Sequence, residues 1–311
     1  MNASPPPART PIMIGAWPLG GLLVLFGLWL VWGTSWAAMR IVFLEMPVWQ
    51  FRAVTGLIGG GALLLIAMAA KGPWLLPRGQ WLWIAASAFF NITLWHALVG
   101  YGLSYLGAGH AAILCYTMPI WTALISVFVL KQNISGRVVL ALAFGMGGIV
   151  ALMSSDFDAL GTNPLGAVFV IGAAMGWSVG TLIFKRVPWG ANLYALASWQ
   201  LIIGVTPIAV IALIVEPRFV LLEASREALL ATLYIILTVL IAGYALWFRV
   251  VQVFPPMVAA IGALVTPMVG VASGVVVLGE PFTWHEAAAL ILVLTAVALV
   301  VLQRKPPQDK G

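Results

Sequence analysis

The stretch HAAILCYTMPIW, His110–Trp121, sets a proline in the middle of an apolar run long enough to cross a membrane. Pro119 has no backbone N–H to give to the carbonyl of Cys115, and its ring crowds that carbonyl as well. A loose acceptor is costly in hydrocarbon, so such a break is tolerated at depth where protein or a wet cavity satisfies it. The chain carries a second copy of the feature. At an offset of 148, VAAIGALVTPMV, Val258–Val269, falls on the first stretch, and Ala111, Ala112, Ile113 and Pro119 meet Ala259, Ala260, Ile261 and Pro267. The match runs without a gap over about residues 96–152 with only about eleven identities, a number that composition alone largely supplies. The recurrence of a proline in mid-run lifts it above chance.

Composition fixes the solvent. Of 311 residues, 63% are hydrophobic and 8% charged, against about a quarter charged in soluble domains. Apolar runs of about 20 residues, the length a helix needs to cross the hydrocarbon layer, alternate with short charged clusters. Ten spans are expected: 17–39, 47–70, 80–103, 108–130, 136–153, 164–184, 191–215, 228–249, 256–279 and 283–302. The expected fold is all-α and integral to the membrane. Residues 1–16 read as a disordered cytoplasmic N-terminus, 17–153 and 164–302 as two five-helix repeats, and 303–311 as a cytoplasmic tail.

Topology accounts for the net charge of +6. Eleven basic residues, among them Lys71, Arg78, Lys131, Arg137, Lys185, Arg186 and Arg249, fall on the side of the termini, and only Arg40, Arg52, Arg218 and Arg226 fall opposite. Both termini are therefore expected in the cytoplasm. No basic patch with interleaved aromatics exists, so nucleic acid is not an expected partner. The expected partners are membrane lipid and a small-molecule substrate. The single cysteine, Cys115, excludes an internal disulfide.

Five spans per unit is an odd number, so the second unit must lie inverted relative to the first. Inverted repeats typify secondary transporters, in which two halves enclose a midplane site and open it alternately to either side. At an offset of 145, Trp32 in WLVWGTSW meets Trp177 in AAMGWSVG, and at 148 His96 meets Tyr244. A cavity lined by Trp32, His96, Tyr116, Met118, Trp177 and Tyr244 is expected, with Pro119 and Pro267 as paired hinges. The aromatic faces suit an apolar side chain and an ammonium group, and Met118 an adaptable wall. The glycine pairs Gly56 and Gly60, Gly176 and Gly180, and Gly270 and Gly274 predict close helix packing. No carboxylate occupies a midplane position, which leaves His96, Glu280 or no coupling ion at all, and a facilitator is expected.

The spans, the duplicated unit, the Trp32-Gly33 pair in the first span and LGEP, residues 278–281, closing the ninth together resemble the drug/metabolite transporter superfamily. The likeness is to its EamA-type ten-helix exporters, most of all the bacterial aromatic and neutral amino-acid exporters. It implies alternating-access export of small metabolites, amino acids first, with purines or drug-like cations as alternatives, and no cofactor. One departure stands out: the first half has Leu130, Lys131, Gln132 and Asn133 where the second has Leu-Gly-Glu-Pro.

Two fragments imitate enzymes. GWSVG, Gly176–Gly180, matches a nucleophile elbow, but that motif needs a strand before it and a helix after it, and here it lies inside one apolar run. HEAAA, from His285, begins like a zinc-protease helix and fails at Ala289. No metal site and no enzyme are expected, and nothing resembles a channel filter.

Overall fold

The computed structural model describes residues 13–14, 17–105, 114–154, 164–216, 218, 220–278 and 282–302. His110 to Ile113, Asp156, Asp158, Glu280 and most of both terminal segments lie outside the described residues.

A two-residue antiparallel pair, β1 (Met13–Ile14) and β2 (Trp17–Pro18), precedes the helices. We group the helical runs as α1 (Leu19–Phe43), α2 (Val48–Ala69), α3 (Trp81–Ala88, Phe89–Leu94 and Trp95–Tyr105), α4 (Met118–Leu124 and Ile125–Val129) and α5 (Gly136–Met153). The second half follows as α6 (Pro164–Arg186), α7 (Leu193–Val215), α8 (Arg226–Tyr234, Ile235–Gly243 and Tyr244–Val253), α9 (Pro256–Gly262 and Val265–Leu278) and α10 (Trp284–Val301). Polar caps start several of them. Ser135, Asn192 and Ser225 each accept a backbone N–H of the first turn, and Thr283 with Glu286 forms a capping box. Among the described residues seven helices are long and apolar enough to cross a membrane, and Leu19–Ser35, Met118–Val129 and Gly136–Ala151 are shorter apolar stretches.

Large apolar side chains face outward: Leu213 is 78% exposed, Val276 83% and Leu65 69%. In water so much apolar surface would drive aggregation, whereas in lipid it lies in its own solvent. The protein is a multi-pass membrane protein.

Helix pairs follow the two halves. α2 lies on α7, with Gln50 Nε2 donating to Glu216 O at 3.0 Å, Gly56 against Val205, Ser198 Oγ donating to Gly60 O at 2.8 Å, and Asn192 Nδ2 to Ala67 O at 3.0 Å. Numbers rise along one helix as they fall along the other, so the two run antiparallel. Gly145 against Ala296 and Gly148 against Val293 give the same antiparallel sense to α5 and α10. Other contacts also come in matched sets: α1 with α9 and α6 with α4, α3 with α6 and α8 with α1, α3 with α7 and α8 with α2, though the packing of α9 on α10 has no such match between α4 and α5 among the described residues.

The proline stretches are breaks. A turn at Tyr116–Thr117 precedes the helix in which Pro119 sits in the first turn, where its missing N–H costs little. A turn at Ala263–Leu264 separates the two parts of α9, just before Pro267. Here the carbonyl of Ala263, expected to be free, accepts Thr266 N–H at 3.0 Å, a tightened bond that answers for the missing one. Sequence shows no sign of a further matched pair: Phe89–Leu94 in α3 and Ile235–Gly243 in α8 are π-helical, the first ending two residues before His96 and the second running directly into Tyr244. Such π segments collect at functional sites because the extra residue re-aims the side chains after it.

Candidate functional site

Trp32 on α1 and Trp177 on α6 meet edge to face, ring centroids 6.1 Å apart. Tyr244, the first residue after the α8 π segment, approaches Trp32 at 6.3 Å. Trp247, one turn on, lies 5.5 Å from Trp32 and 5.7 Å from Trp177, and Trp95 lies 5.0 Å from Trp177. The crossing of the two halves is thus filled by five aromatic rings. Tyr116 is buried in the same core, with half-buried Met118 packed against it.

A polar network holds Trp177 in place. Asn91 Nδ2 donates to Trp177 O at 2.9 Å, Ser87 Oγ to Gly180 O at 3.0 Å, and Gln200 Nε2 to Ser87 Oγ at 2.6 Å. Two of the expected glycine packings are seen. A Cβ at Gly180 would lie 2.6 Å from Asn91, and one at Gly56 2.5 Å from Val205 Cγ2. On the other side Gly243 lets α8 close on α1, since a Cβ there would come within 2.5 Å of Trp32 Nε1.

His96 does not stand alone. Its Nδ1 meets Nη1 of Arg52, which projects from the second turn of α2. Arg52, read from the sequence only as one of the charges opposite the termini, also carries its side chain to His96. Tyr244 and Cys115 both lie within electrostatic reach of the guanidinium. Trp247 was missed as well: it falls on Val99 across the repeat, so a search for matched positions passes over it.

A cavity of about 570 Å³ has other walls. It is lined by Trp17, Gln132, Leu182, Lys185, Arg186 and Pro256 among others. Leu182 is five residues beyond Trp177 on α6, about 7.5 Å along the axis. The cavity thus sits by the basic end of α6, and none of the five rings lines it. Trp32 meets both Trp177 and Tyr244 ring to ring, so these three are packed together, whereas they were expected to line an open volume.

Ser178, the serine of the elbow-like motif, is fully buried. Its hydroxyl is shared between Met118 O and Ala174 O, each at 3.0 Å, and accepts from Thr122 Oγ1 at 3.1 Å. Among the described residues no three His, Cys, Asp or Glu side chains group to hold a metal ion.

Comparison with known proteins accords with this geometry. Residues 19–154 and 164–302 each match the EamA-like transporter family. An uncharacterized transporter YvbV of Bacillus subtilis strain 168 is 24% identical over 91% of this chain and 92% of its own. The uncharacterized inner membrane transporter YedA of Escherichia coli K12 is 27% identical over 92% and 91%. A probable amino-acid metabolite efflux pump of the same strain is 20% identical over 87% and 91%. A solved crystal structure shares the fold, with a TM-score of 0.78 at 19% identity, covering 91% of this chain and 96% of that one. The chain belongs to the EamA-like transporter family, within the drug/metabolite transporter superfamily.

Proposed function

We propose that the protein exports small metabolites from the cytoplasm, amino acids first, aromatic and neutral ones included. It works by alternating access between two inverted five-helix repeats that cross the inner membrane ten times. The observation that carries this is the ring cluster at the crossing of the halves, where the counterparts Trp32 and Trp177 meet at 6.1 Å. The antiparallel run of α2 against α7 and of α5 against α10 supports the inversion, since each of those helices faces its own repeat counterpart. The cavity of about 570 Å³ beside Lys185 and Arg186 serves as the cytoplasmic entrance, by the excess of basic residues on that side.

Ring faces take an apolar side chain by burial and an ammonium by cation–π attraction. The breaks at Tyr116–Thr117 and Ala263–Leu264 act as the paired hinges about which the halves rock, with Pro119 and Pro267 holding them broken. The name of the E. coli efflux pump points to the same substrate class. A catalytic serine is disfavoured because the Ser178 hydroxyl is engaged with two backbone carbonyls.

Counterflow into liposomes tests the reading. Labelled phenylalanine should accumulate saturably and be displaced by other neutral amino acids, and Trp32→Ala should slow it by up to about tenfold, the upper end of what one lost aromatic contact is worth. Failure of every amino acid to compete would sink the substrate class; ohmic current would replace the carrier by a channel.

A further inference from the structure

We propose that Arg52, with His96 beside it, is the anion-binding end of the substrate site and takes a carboxylate; this rests on the transporter reading above. Among the described residues three buried side-chain polar atoms lack a hydrogen-bond partner: Arg52 Nε, Trp32 Nε1 and Thr266 Oγ1. Buried polar groups are nearly always satisfied, so three orphans in one molecule ask for a cause.

They are linked through adjoining residues. Gly33, next to Trp32, faces the Thr266 backbone, the Trp32 indole N–H lies against Gly243, and Tyr244, the next residue, is within electrostatic reach of Arg52. Guanidinium and indole N–H groups only donate, and a threonine hydroxyl can donate too. His96 adds a fourth donor. Arginine has no lone pair to offer, so His96 Nδ1 must accept from it, which leaves the imidazole proton on Nε2. The Arg52–His96 pair therefore offers donors, and donors are matched by a group that only accepts. A carboxylate, with two oxygens and about four lone-pair positions, is such a group.

Charge leads to the same group. A guanidinium inside a membrane span is costly without an anion. The carboxylate that packs on the start of α2, Glu216, is taken up by the backbone N–H groups of Gln50 at 2.7 Å and Trp49 at 3.3 Å. Glu45 is held by Ser225. Among the described residues the titratable groups within electrostatic reach of Arg52 are His96, Tyr244 and Cys115, none of them a carboxylate. The balancing charge is therefore left to the substrate, whose apolar part extends past Tyr244 toward Trp32.

Thermal unfolding of the purified protein in detergent, with 3-phenylpropionate or 3-phenylpropionamide as probe, isolates the carboxylate. The acid should raise the midpoint and the amide should not, with an apparent affinity gap of at least about tenfold, the worth of one charge-assisted hydrogen bond. Arg52→Lys should keep part of the preference and Arg52→Gln should lose it. Equal response to acid and amide in the unaltered protein overturns the site, as does an undiminished preference in Arg52→Gln. If Arg52→Gln fails to fold, the acid–amide pair on the unaltered protein and on Arg52→Lys still decides. Counterflow separates the two readings: no transport of phenylalanine with the acid preference intact sinks only the amino-acid substrate, whereas phenylalaninamide competing as well as phenylalanine sinks only the anion site.

Discussion

The two halves make the same crossing with different chemistry. Gly33 on α1 and Ser178 on α6 are counterparts at an offset of 145, and the backbone carbonyls they approach, those of Thr266 and Met118, are counterparts at 148. In one half the contact is direct: a Cβ at Gly33 would lie 2.4 Å from Val269 Cβ and 3.0 Å from Thr266 O. In the other a hydroxyl fills the gap, with Ser178 Oγ 3.0 Å from Met118 O. The first contact has no slack, because the atoms in the way belong to backbone and Cβ. The second can exchange partners, because a hydroxyl rotates and Ala174 O also accepts it. Helices α1 and α9 therefore form the firmer seam, and α6 and α4 the one better able to slide.

Gly33→Ala should have the largest effect. The added methyl must push α1 from α9 over a buried surface, costing about 1–3 kcal/mol as overpacking does. It also displaces Trp32, one residue away. Unfolding in detergent should shift down by several degrees and counterflow should collapse; a variant that stays stable and active would abolish the distinction between the seams.

The breaks sharpen the same contrast. Residues 261–268 are buried throughout, whereas Thr117, Met118 and Ile120 around Pro119 are only half-buried. Pro119→Ala gives the helix an N–H to offer to Cys115 O in a region with room to straighten, and should shift the balance between states by about 0.5–2 kcal/mol. Pro267→Ala restores an N–H whose acceptor, Ala263 O, is already engaged by Thr266, so its effect on transport should be smaller. Both variants should fold, and equal counterflow rates in the two would remove the asymmetry.

Ser178→Ala comes next. It removes a buried hydroxyl and leaves Thr122 Oγ1 without its acceptor, worth about 1 kcal/mol. Transport should persist at a reduced rate. Complete loss without loss of stability would instead give the serine a chemical role.

Much of this was legible because the features are covalent. Proline cannot continue a helix, so the breaks near Pro119 and Pro267 could be read from the chain, as could the meeting of Trp32 with Trp177 from their matched place in the repeat. Arg52 was not legible in the same way. Five residues from the start of α2 it looks like an interfacial charge, and only the reach of its long side chain toward α3 makes it part of the site. Trp247 has no counterpart to flag it. The π segments depend on how α3 and α8 pack, with Asn91 turned toward α6, and nothing in the spacing of apolar residues marks them.

The smallest effect tests the comparison at the rim. Glu45 accepts from the backbone N–H of Ser225 at 2.7 Å and from its hydroxyl at 2.6 Å, tying the α1–α2 loop to the start of α8. Its counterpart Gly190, in the α6–α7 loop, would meet Pro77, the counterpart of Ser225, through any Cβ, at 2.8 Å, and it donates its N–H to Gln80 Oε1 at 3.0 Å. One rim is clasped by a carboxylate and the other by neutral groups. The Ser225 hydrogen bonds, side chain first and then backbone, hold the Glu45 carboxyl below its ordinary value of 4.5. A lowered value means stability that is present above 4.5 and lost as pH falls through the folded-state value. The loss is modest for so exposed a group. Unfolding midpoints measured between neutral pH and about pH 3 should therefore fall more steeply in the unaltered protein than in Glu45→Gln, which keeps an acceptor and carries no proton to gain. Gln80→Glu keeps the acceptor for the Gly190 N–H but sets a carboxylate oxygen against Pro188 O, to which Gln80 Nε2 donates at 2.8 Å, so it should weaken that rim at neutral pH and recover part of the loss on protonation, opposite in sign to Glu45.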